Sequence, residues 1–396
     1  MKKTIRITLI TIGSVLAALL LLVAVSCIVY TPEYIYRCIV NGEGKTSDYL
    51  FFPERTIEKS TRPYQYEYML KDNLADIDVS YTMKGQLLNQ PLDTLAKSTG
   101  TTSLLVIHQD KVVYEEYFNG HDAGSVNTSF SAVKSIVSLM IGMAIEDGFI
   151  QSEEQPVSTF ISELDGTEFA NITIKELLMM RSKIAYHQGN FWILWFGDGA
   201  KTYYYPDLRA LALTSMRVDP DYGGEFHYNN YHPLLLGIIL ERSTGMSVSE
   251  YFRTKIWDKV GAENNASWSL DSDKSGFEKM ESGLNFKSID FAKIGSMLIN
   301  RGHWNGSTII NEEWLNRSIV AAEPMNESGI GYQYMWYSFA NEKGGYDYFA
   351  HGNHGQYLYI SPESETVIVR TGTEEGIDTW IVPLYEIAAY IGSSAN

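Results

Sequence analysis

The chain has 396 residues, 45% of them apolar and 13% aromatic, so it can bury a large hydrophobic core and intrinsic disorder is excluded. Its formal net charge of −17 argues against nucleic-acid binding, which requires basic surface patches. The two cysteines are Cys27 and Cys38, and the sequence has neither zinc-ligand spacing nor a glycine-rich phosphate loop. The sequence therefore predicts no metal and no other cofactor. A disulfide is not expected because Cys27 lies in an apolar segment.

The N-terminal segment is suited to a membrane. Three basic residues within the first six positions precede residues 7–32, which carry no charge and exceed the roughly 20 residues of a spanning helix. This order predicts a cytoplasmic N-terminus and an extracytoplasmic remainder. The alternative is a signal peptide cleaved near residues 24–26, giving a secreted protein or one lipid-anchored through Cys27. Because residues 28–29 continue the apolar run, an uncleaved single-pass anchor over residues 1–32 is favoured.

The elements that follow the anchor begin with a segment of mixed composition. Residues 33–66 combine charged, proline and aromatic residues without a clear period. They are predicted to form a juxtamembrane connector that partly packs on the domain at residues 67–396. Two strand-like runs, 103–108 and 112–118, are joined by Gln109-Asp110-Lys111 and predict a hairpin.

The middle of the domain is predicted to be a mainly helical lobe at about residues 130–290. Helices are predicted at 130–147, 174–180, 233–244, 249–260 and 289–301. Strands return as a second hairpin, 356–361 with 366–372, before a final helix at 383–391. Strands at both ends and helices between them predict an α+β fold. Its antiparallel sheet is assembled from distant parts of the chain, flanked by helices and interrupted by the helical lobe.

The first chemical motif is Ser131-Ala132-Val133-Lys134, at the start of a helix with Ser129 as its predicted N-cap and Gly148 as its stop. A serine and a lysine three residues apart on a helix share one face, with Cβ atoms about 5–6 Å apart. A lysine so placed can take the proton of the serine hydroxyl, which makes the serine a nucleophile. The spacing alone is common, and a solvated lysine beside a first-turn serine is the alternative.

Two further motifs follow in order. Tyr228-Asn229-Asn230 lies on a predicted loop, where a rigid scaffold often presents functional groups. With 27 tyrosines in the chain, simple packing is the alternative for Tyr228. Residues 350–356, Ala-His-Gly-Asn-His-Gly-Gln, lead into a strand. Their glycines allow a ligand to approach backbone N–H groups that can serve as oxyanion donors. The alternative is an ordinary glycine-containing turn.

With three motifs in this order, the sequence resembles the serine β-lactamase and penicillin-binding-protein superfamily from about Ser103 to the C-terminus. It is most similar to class C β-lactamase-related serine hydrolases, in particular the 6-aminohexanoate-dimer hydrolase group. Ser131 to Lys134 match S-x-x-K and Tyr228 to Asn230 match Y-x-N. Supporting matches lie at residues 177–182, 283–284, 290–295 and 355–360. Penicillin-recognising members carry K-T-G at the third motif, with a lysine that binds the substrate carboxylate. Here the corresponding string is Ala350-His351-Gly352, or a one-residue shift of it, and it contains no lysine, which argues against β-lactam and D-Ala-D-Ala recognition.

The resemblance implies a two-lobed β-lactamase/D,D-peptidase-like fold and a covalent acyl-enzyme route on a small ester, amide or peptide substrate. In that route Ser131 attacks the carbonyl, Lys134 acts as the base, and Tyr228 passes a proton to the leaving group. Burial is expected to lower the pKa of Lys134. Asn230 would orient Lys134 and the substrate. The substrate-binding and oxyanion candidates are Asn230, Gly352, Asn353 and His354.

Two other functions stay open from the sequence. One is a ligand-binding or sensor protein that is acylated without turnover, and the other is a true β-lactamase or D,D-peptidase. The aromatic residues at 191–196 and 203–205 are predicted to line or cap an apolar substrate pocket. Packing between the lobes, or contact with the nearby membrane, is the alternative for these aromatics.

Overall fold

A computed structural model of the protein describes residues 2–189, 195–325, 329–341 and 344–393. The α-helices are α1 Lys2–Val29, α2 Pro32–Asn41, α3 Leu92–Ser98, α4 Val133–Glu146, α5 Ile174–Leu178, α6 Asp198–Tyr204, α7 Leu208–Thr214, α8 Tyr231–Thr244, α9 Val248–Phe252, α10 Ser288–Ile299, α11 Glu312–Ser318 and α12 Ile381–Ser393. The strands are β1 Glu54–Ile57, β2 Glu67–Tyr68, β3 Asp78–Met83, β4 Gln86–Pro91, β5 Thr101–His108, β6 Lys111–Tyr117, β7 Asn127–Thr128, β8 Ala266–Ser269, β9 Leu284–Phe286, β10 His303–Trp304, β11 Ser307–Thr308, β12 Ile330–Gln333, β13 Trp336–Ala340, β14 Tyr346–Gly352, β15 Gln356–Ser361 and β16 Thr366–Gly372.

The large sheet joins the two ends of the domain. Within the described residues it contains eight strands in the order β12-β13-β14-β15-β16-β5-β6-β2. Neighbouring strands are antiparallel except β2, which runs parallel to β6 at the edge. Strand β5 pairs with β16, with His108 opposite Thr366. The predicted antiparallel sheet built from distant segments is therefore confirmed, with one parallel pair added.

Both predicted hairpins are present, and the first has a two-residue turn. Gln109 and Asp110 both have positive φ, 48° and 59°, the backbone conformation of the type I′ turn that suits the twist of a hairpin. Strand β5 is buried along its whole length because helices cover the sheet on both sides. Its side chains alternate between two cores, with Leu105 and Ile107 in one and Leu104 and Val106 in the other. Helices α4, α8 and α10 complete the first core, and α3 and α12 complete the second.

The lobe predicted at about 130–290 contains α4 to α9 and a small sheet. Strands β8 and β9 lie inside this region and pair in the order β1-β8-β9-β7. The helices predicted at 174–180, 233–244 and 289–301 are present as α5, α8 and α10. The segment at 249–260 is less regular than predicted, because α9 is followed by a π-helical turn over Arg253–Trp257.

The N-terminal part of the chain is more ordered than the mixed composition of residues 33–66 indicated. Helix α1 is long and apolar enough to cross a membrane and is almost wholly exposed over its apolar window. Helix α2 follows, and Tyr34, Ile35 and Cys38 on its inner face pack with side chains of α6. Strand β1 then joins the small sheet by pairing with β8. Cys27 and Cys38 are both free thiols.

Candidate active site

Ser131 lies on a tight turn that precedes α4 rather than on the α-helix itself. The turn is a 3₁₀ helix over Phe130–Ala132. Ser129 was predicted as the N-cap, and that is wrong: its backbone is already helical, and its hydroxyl donates to the Ser282 carbonyl at 3.3 Å. Phe130 has φ of 43°, a conformation that costs energy for a bulky residue and that often accompanies functional sites. Gly148, with φ of 80°, ends α4 as predicted.

The Lys134 ammonium contacts the Ser131 hydroxyl directly. Lys134 Nζ lies 2.8 Å from Ser131 Oγ and donates a second hydrogen bond to the Glu281 carbonyl at 3.1 Å. The residue is only 1% exposed. Burial disfavours the charged form and lowers the pKa of Lys134 to about 7, although the Glu281 carboxylate opposes the shift. A substantial share of this lysine is therefore a neutral amine near pH 7.

Tyr228 completes the cluster around Ser131. Its ring centroid lies 4.9 Å from Lys134 Nζ. Burial raises the pKa of the Tyr228 phenol, and the neighbouring Ser131 hydroxyl opposes that rise. The phenol is therefore protonated at neutral pH and can donate a proton. The ring is held edge-on against Tyr332, with centroids 6.2 Å apart.

Asn230 is placed near the cluster, but among the described residues its side chain makes no hydrogen bond to Lys134, contrary to the expectation that it orients the lysine. Its amide nitrogen donates to the Tyr186 hydroxyl at 2.9 Å and to Thr202 Oγ1 at 3.3 Å. The backbone carbonyl of Glu281 provides the second contact of the lysine instead. Asn230 still lines the cavity beside Ser131.

The third motif brings the end of β14 against the Ser131 turn. A Cβ atom on Gly352 would lie 2.1 Å from the Ser129 carbonyl oxygen and 3.0 Å from the Ser131 nitrogen, so only glycine permits this approach. Asn353 lines the same cavity as Ser131. His354, with φ of 63°, turns towards the connector, and its Nε2 lies 2.8 Å from the Gly44 carbonyl oxygen. The structure thus brings Gly352 and Asn353 to Ser131, while the His354 ring packs against Phe130, with centroids 4.9 Å apart.

A cavity of about 490 Å³ opens over Ser131. It is lined in part by Tyr228, Asn230, Asn353, Tyr203 and Tyr204. The pocket role predicted for the aromatic run 203–205 thus applies to Tyr203 and Tyr204. All three tyrosines of this run also pack with the apolar cluster around Tyr34 and Cys38 of α2, as does Trp195 from the run 191–196. Residues 191–194 lie outside the described residues.

A buried ion pair beside the cavity was missed from the sequence. Lys279 Nζ lies 3.0 Å from Glu281 Oε1, and both side chains are 2% exposed. The ammonium also sits over the Tyr203 ring, 4.0 Å from its centroid. Burial lowers the pKa of Lys279, and Glu281 opposes that change. The available signal was the group of three charged residues within 277–282, just before a stretch that matched the resembled family.

His351 also lines the cavity. Its ring stacks on Tyr357, with centroids 4.5 Å apart, and its Nε2 lies 3.5 Å from a carboxylate oxygen of Glu375. Burial raises the pKa of Glu375, but His351 and the Tyr357 hydroxyl hold that pKa below its ordinary value. Among the described residues no group of three or more His, Cys, Asp or Glu side chains is arranged to hold a metal ion.

A model of the Beta-lactamase family matches residues 88–377. The chain belongs to the β-lactamase family. A 6-aminohexanoate-dimer hydrolase of Paenarthrobacter ureafaciens is 26% identical over 312 residues, which cover 73% of this chain and 76% of the relative. Together these similarities identify the chain as a serine-type hydrolase and confirm the predicted family.

Solved structures confirm the fold of this β-lactamase-family hydrolase. A Bacillus anthracis protein, provisionally named a 6-aminohexanoate-dimer hydrolase, superposes with a TM-score of 0.72 at 24% identity. The match covers 89% of this chain and 92% of that protein. A penicillin-binding protein from Bacillus halodurans gives a TM-score of 0.58 at 16% identity, covering 76% of this chain and 98% of its own.

Proposed function

We propose that the protein is a membrane-anchored, extracytoplasmic serine hydrolase that cleaves an ester or amide through an acyl-enzyme on Ser131. The observation that carries the proposal is the 2.8 Å contact between Ser131 Oγ and the buried amine of Lys134. Neutral Lys134 takes the hydroxyl proton as Ser131 Oγ attacks the substrate carbonyl. Tyr228 then delivers a proton to the leaving group, and water hydrolyses the acyl-enzyme by the reverse sequence of proton transfers.

The oxyanion of the tetrahedral intermediate is assigned to two backbone N–H groups, those of Ser131 and Asn353. The close approach of Gly352 to the Ser131 turn supports this assignment, because it brings the end of β14 beside the nucleophile. The helix that starts directly after Ser131 adds a favourable dipole for negative charge at that point. Loss of one such donor costs about 3 kcal/mol of transition-state stabilisation in other hydrolases.

The charges around the cavity support a substrate without an essential carboxylate. The described residues that line it include two acidic side chains, Glu43 and Glu281, and no lysine or arginine. The third motif also lacks the carboxylate-binding lysine that penicillin-recognising members of the resembled superfamily carry. Similarity to a 6-aminohexanoate-dimer hydrolase supports an amide among the bonds cleaved. An ester or linear amide is therefore proposed in preference to a β-lactam.

Anchoring is proposed from α1, whose length and apolar composition suit a membrane span. With the basic residues before it, the proposed orientation places the catalytic domain outside the cytoplasm. The domain division follows: an anchor at 1–32, a connector at 33–66 and the hydrolase domain at 67–396.

Labelling by a fluorophosphonate serine-hydrolase probe tests the proposal. We expect the wild type to be labelled and the Ser131→Ala and Lys134→Ala variants to be unlabelled. Ser138→Ala is a matched control, because Ser138 is a buried serine on α4 with no hydrogen-bond partner among the described residues. Full labelling of Ser131→Ala would refute the nucleophile.

Steady-state kinetics then separate the alternatives. Continuous turnover of a short-chain ester or amide supports a hydrolase, whereas a stoichiometric burst with no later turnover indicates an acylated sensor. Rapid hydrolysis of a chromogenic cephalosporin would instead indicate a β-lactamase.

A further inference from the structure

Helix α2 has two apolar faces, and only one of them is covered. Tyr34, Ile35 and Cys38 are buried against the domain. On the opposite side, Tyr36, Ile39 and Val40 are 59%, 52% and 55% exposed. Positions 36, 39 and 40 follow the i, i+3, i+4 spacing of a single helix face. Isolated exposed apolar side chains are ordinary on protein surfaces, but three of them together on one helix face indicate a partner.

The position of α2 is fixed by the apolar helix before it. Helix α2 starts at Pro32, directly after α1 ends at Val29. The end of α1 packs on the domain as well, where the Trp195 indole donates to Ser26 Oγ at 3.1 Å. The Tyr34 hydroxyl donates to the Trp195 carbonyl at 2.9 Å, so one aromatic residue ties α1 to α2. A ten-residue helix is about 15 Å long, so all of α2 stays close to the end of α1.

The same segment continues into the wall of the active-site cavity. Gly42, Glu43 and Gly44 follow α2 immediately and line the cavity that contains Ser131. The Gly44 carbonyl oxygen lies 2.8 Å from Nε2 of His354, on the turn after β14. A partner that contacts α2 is therefore close to the rim of the cavity, because only a few residues separate α2 from that rim.

We propose that the outer face of α2, formed by Tyr36, Ile39 and Val40, lies in the interface of the lipid bilayer. The bilayer is the chosen partner because the face continues directly from α1, the one helix of the described chain that is suited to a membrane. An apolar helix face in the interface is the usual arrangement of monotopic attachment, and tyrosine is favoured at that depth. The cavity then opens beside the lipid headgroups. Its substrates are amphiphilic esters or amides that reach Ser131 from the bilayer, an inference that rests on the proposed hydrolase function.

The placement is tested with the full chain in vesicles of phosphatidylcholine and phosphatidylglycerol. In a Cys27→Ala, Cys38→Ala background, Ile39→Cys carries an environment-sensitive fluorophore, and Leu87→Cys carries the same label as a control. Leu87 is 70% exposed on β4, outside this surface. We expect vesicles whose acyl chains carry bromine to quench the label at position 39 and not the label at position 87. Circular dichroism checks that each variant is folded.

Three results would overturn the placement. They are an unquenched label at position 39, equal quenching at positions 39 and 87, or a disulfide cross-link between two copies of the Ile39→Cys variant in place of quenching. None of these readouts depends on catalysis, so they stand even if Ser131 proves inactive.

A kinetic test addresses the substrate class. The double variant Ile39→Asp, Val40→Asp should lose turnover of a bilayer-embedded long-chain ester while keeping turnover of a water-soluble short-chain ester. Leu87→Asp should keep both activities. Equal loss of both activities, or no loss of either, would refute the inference that substrates arrive from the bilayer. Absence of all turnover in the wild type would refute the hydrolase function instead.

Discussion

The lowered pKa of Lys134 gives a specific expectation for the pH dependence of acylation. Only the neutral amine can accept the Ser131 proton, and burial lowers the pKa of Lys134 to about 7. The neutral share therefore rises from about 9% at pH 6 to about 50% at pH 7 and about 91% at pH 8. We expect kcat/KM for an uncharged p-nitrophenyl ester to rise about tenfold between pH 6 and pH 8 and then to level off.

The plateau is the decisive part of this profile. At the ordinary lysine pKa of 10.5, the rate would instead climb about tenfold for each pH unit and would still be climbing at pH 10. Such a climb would refute the assignment of Lys134 as the base. His351 also lines the cavity, so the His351→Gln variant serves as the control and must retain the same acid limb. Lys134→Arg should show no plateau and little activity, because a guanidinium stays charged throughout this range.

A second variant tests the direction in which the Glu281 carboxylate shifts the pKa of Lys134. The Glu281 carboxylate raises the pKa of Lys134, so Glu281→Gln should lower that pKa and move the acid limb to lower pH. The backbone carbonyl of residue 281 still accepts from the lysine in this variant, so the geometry is kept. A limb that moves to higher pH would contradict the reasoning.

Three further variants test the geometry. Tyr228→Phe should lower kcat by about 10²–10⁴-fold if the phenol transfers a proton. Tyr332→Phe alters the ring packed against Tyr228 and should lower kcat far less. Equal effects of the two variants would make Tyr228 a packing residue. Gly352→Ala should displace the Ser131 turn while circular dichroism stays native. The rate of fluorophosphonate labelling should then fall by more than about 100-fold, the reduction expected from loss of one oxyanion donor. An unchanged rate would refute the close approach. Lys279→Met strands the buried Glu281 carboxylate and should destabilise the protein by about 3–5 kcal/mol in chemical denaturation, and adding Glu281→Leu should restore most of the loss. A single variant as stable as the wild type would show that the pair is not buried as described.

The parts of the site that could be predicted are those set by neighbours in sequence. Ser131 and Lys134 are three residues apart, so any helical geometry brings them to one face. The backbone of the Ser131 turn could not be predicted, because it depends on the amide of Ser129 donating to the Leu284 carbonyl at 2.8 Å. That contact comes from β9, which is far from Ser129 in sequence, and Ser129 makes no side-chain hydrogen bond that would cap the turn.

Residues that meet only through tertiary packing were missed for the same reason. Lys279 and Glu281 are close in sequence, but their burial depends on the rings of Phe52 and Tyr203, which arrive from two other segments. The contact between Gly44 and His354 joins residues 310 positions apart. The hydrophobic period and the local motifs of a sequence hold no information on contacts between residues so far apart. The hairpin at Gln109 and Asp110, by contrast, was predicted because the turn and both strands lie within one short stretch.

The pairing of β5 with β16 has a consequence for the order in which the protein folds. His108 contacts Ser364 across 256 positions of the chain, so the centre of the large sheet closes only after nearly all of the polypeptide has been made. Contacts this distant in sequence carry a high loop-closure cost and slow the folding of a sheet. A chain that emerges N-terminus first therefore cannot assemble its nucleophile pocket early. The pairing of β5 with β16 therefore makes the complete sheet depend on segments from both ends of the domain.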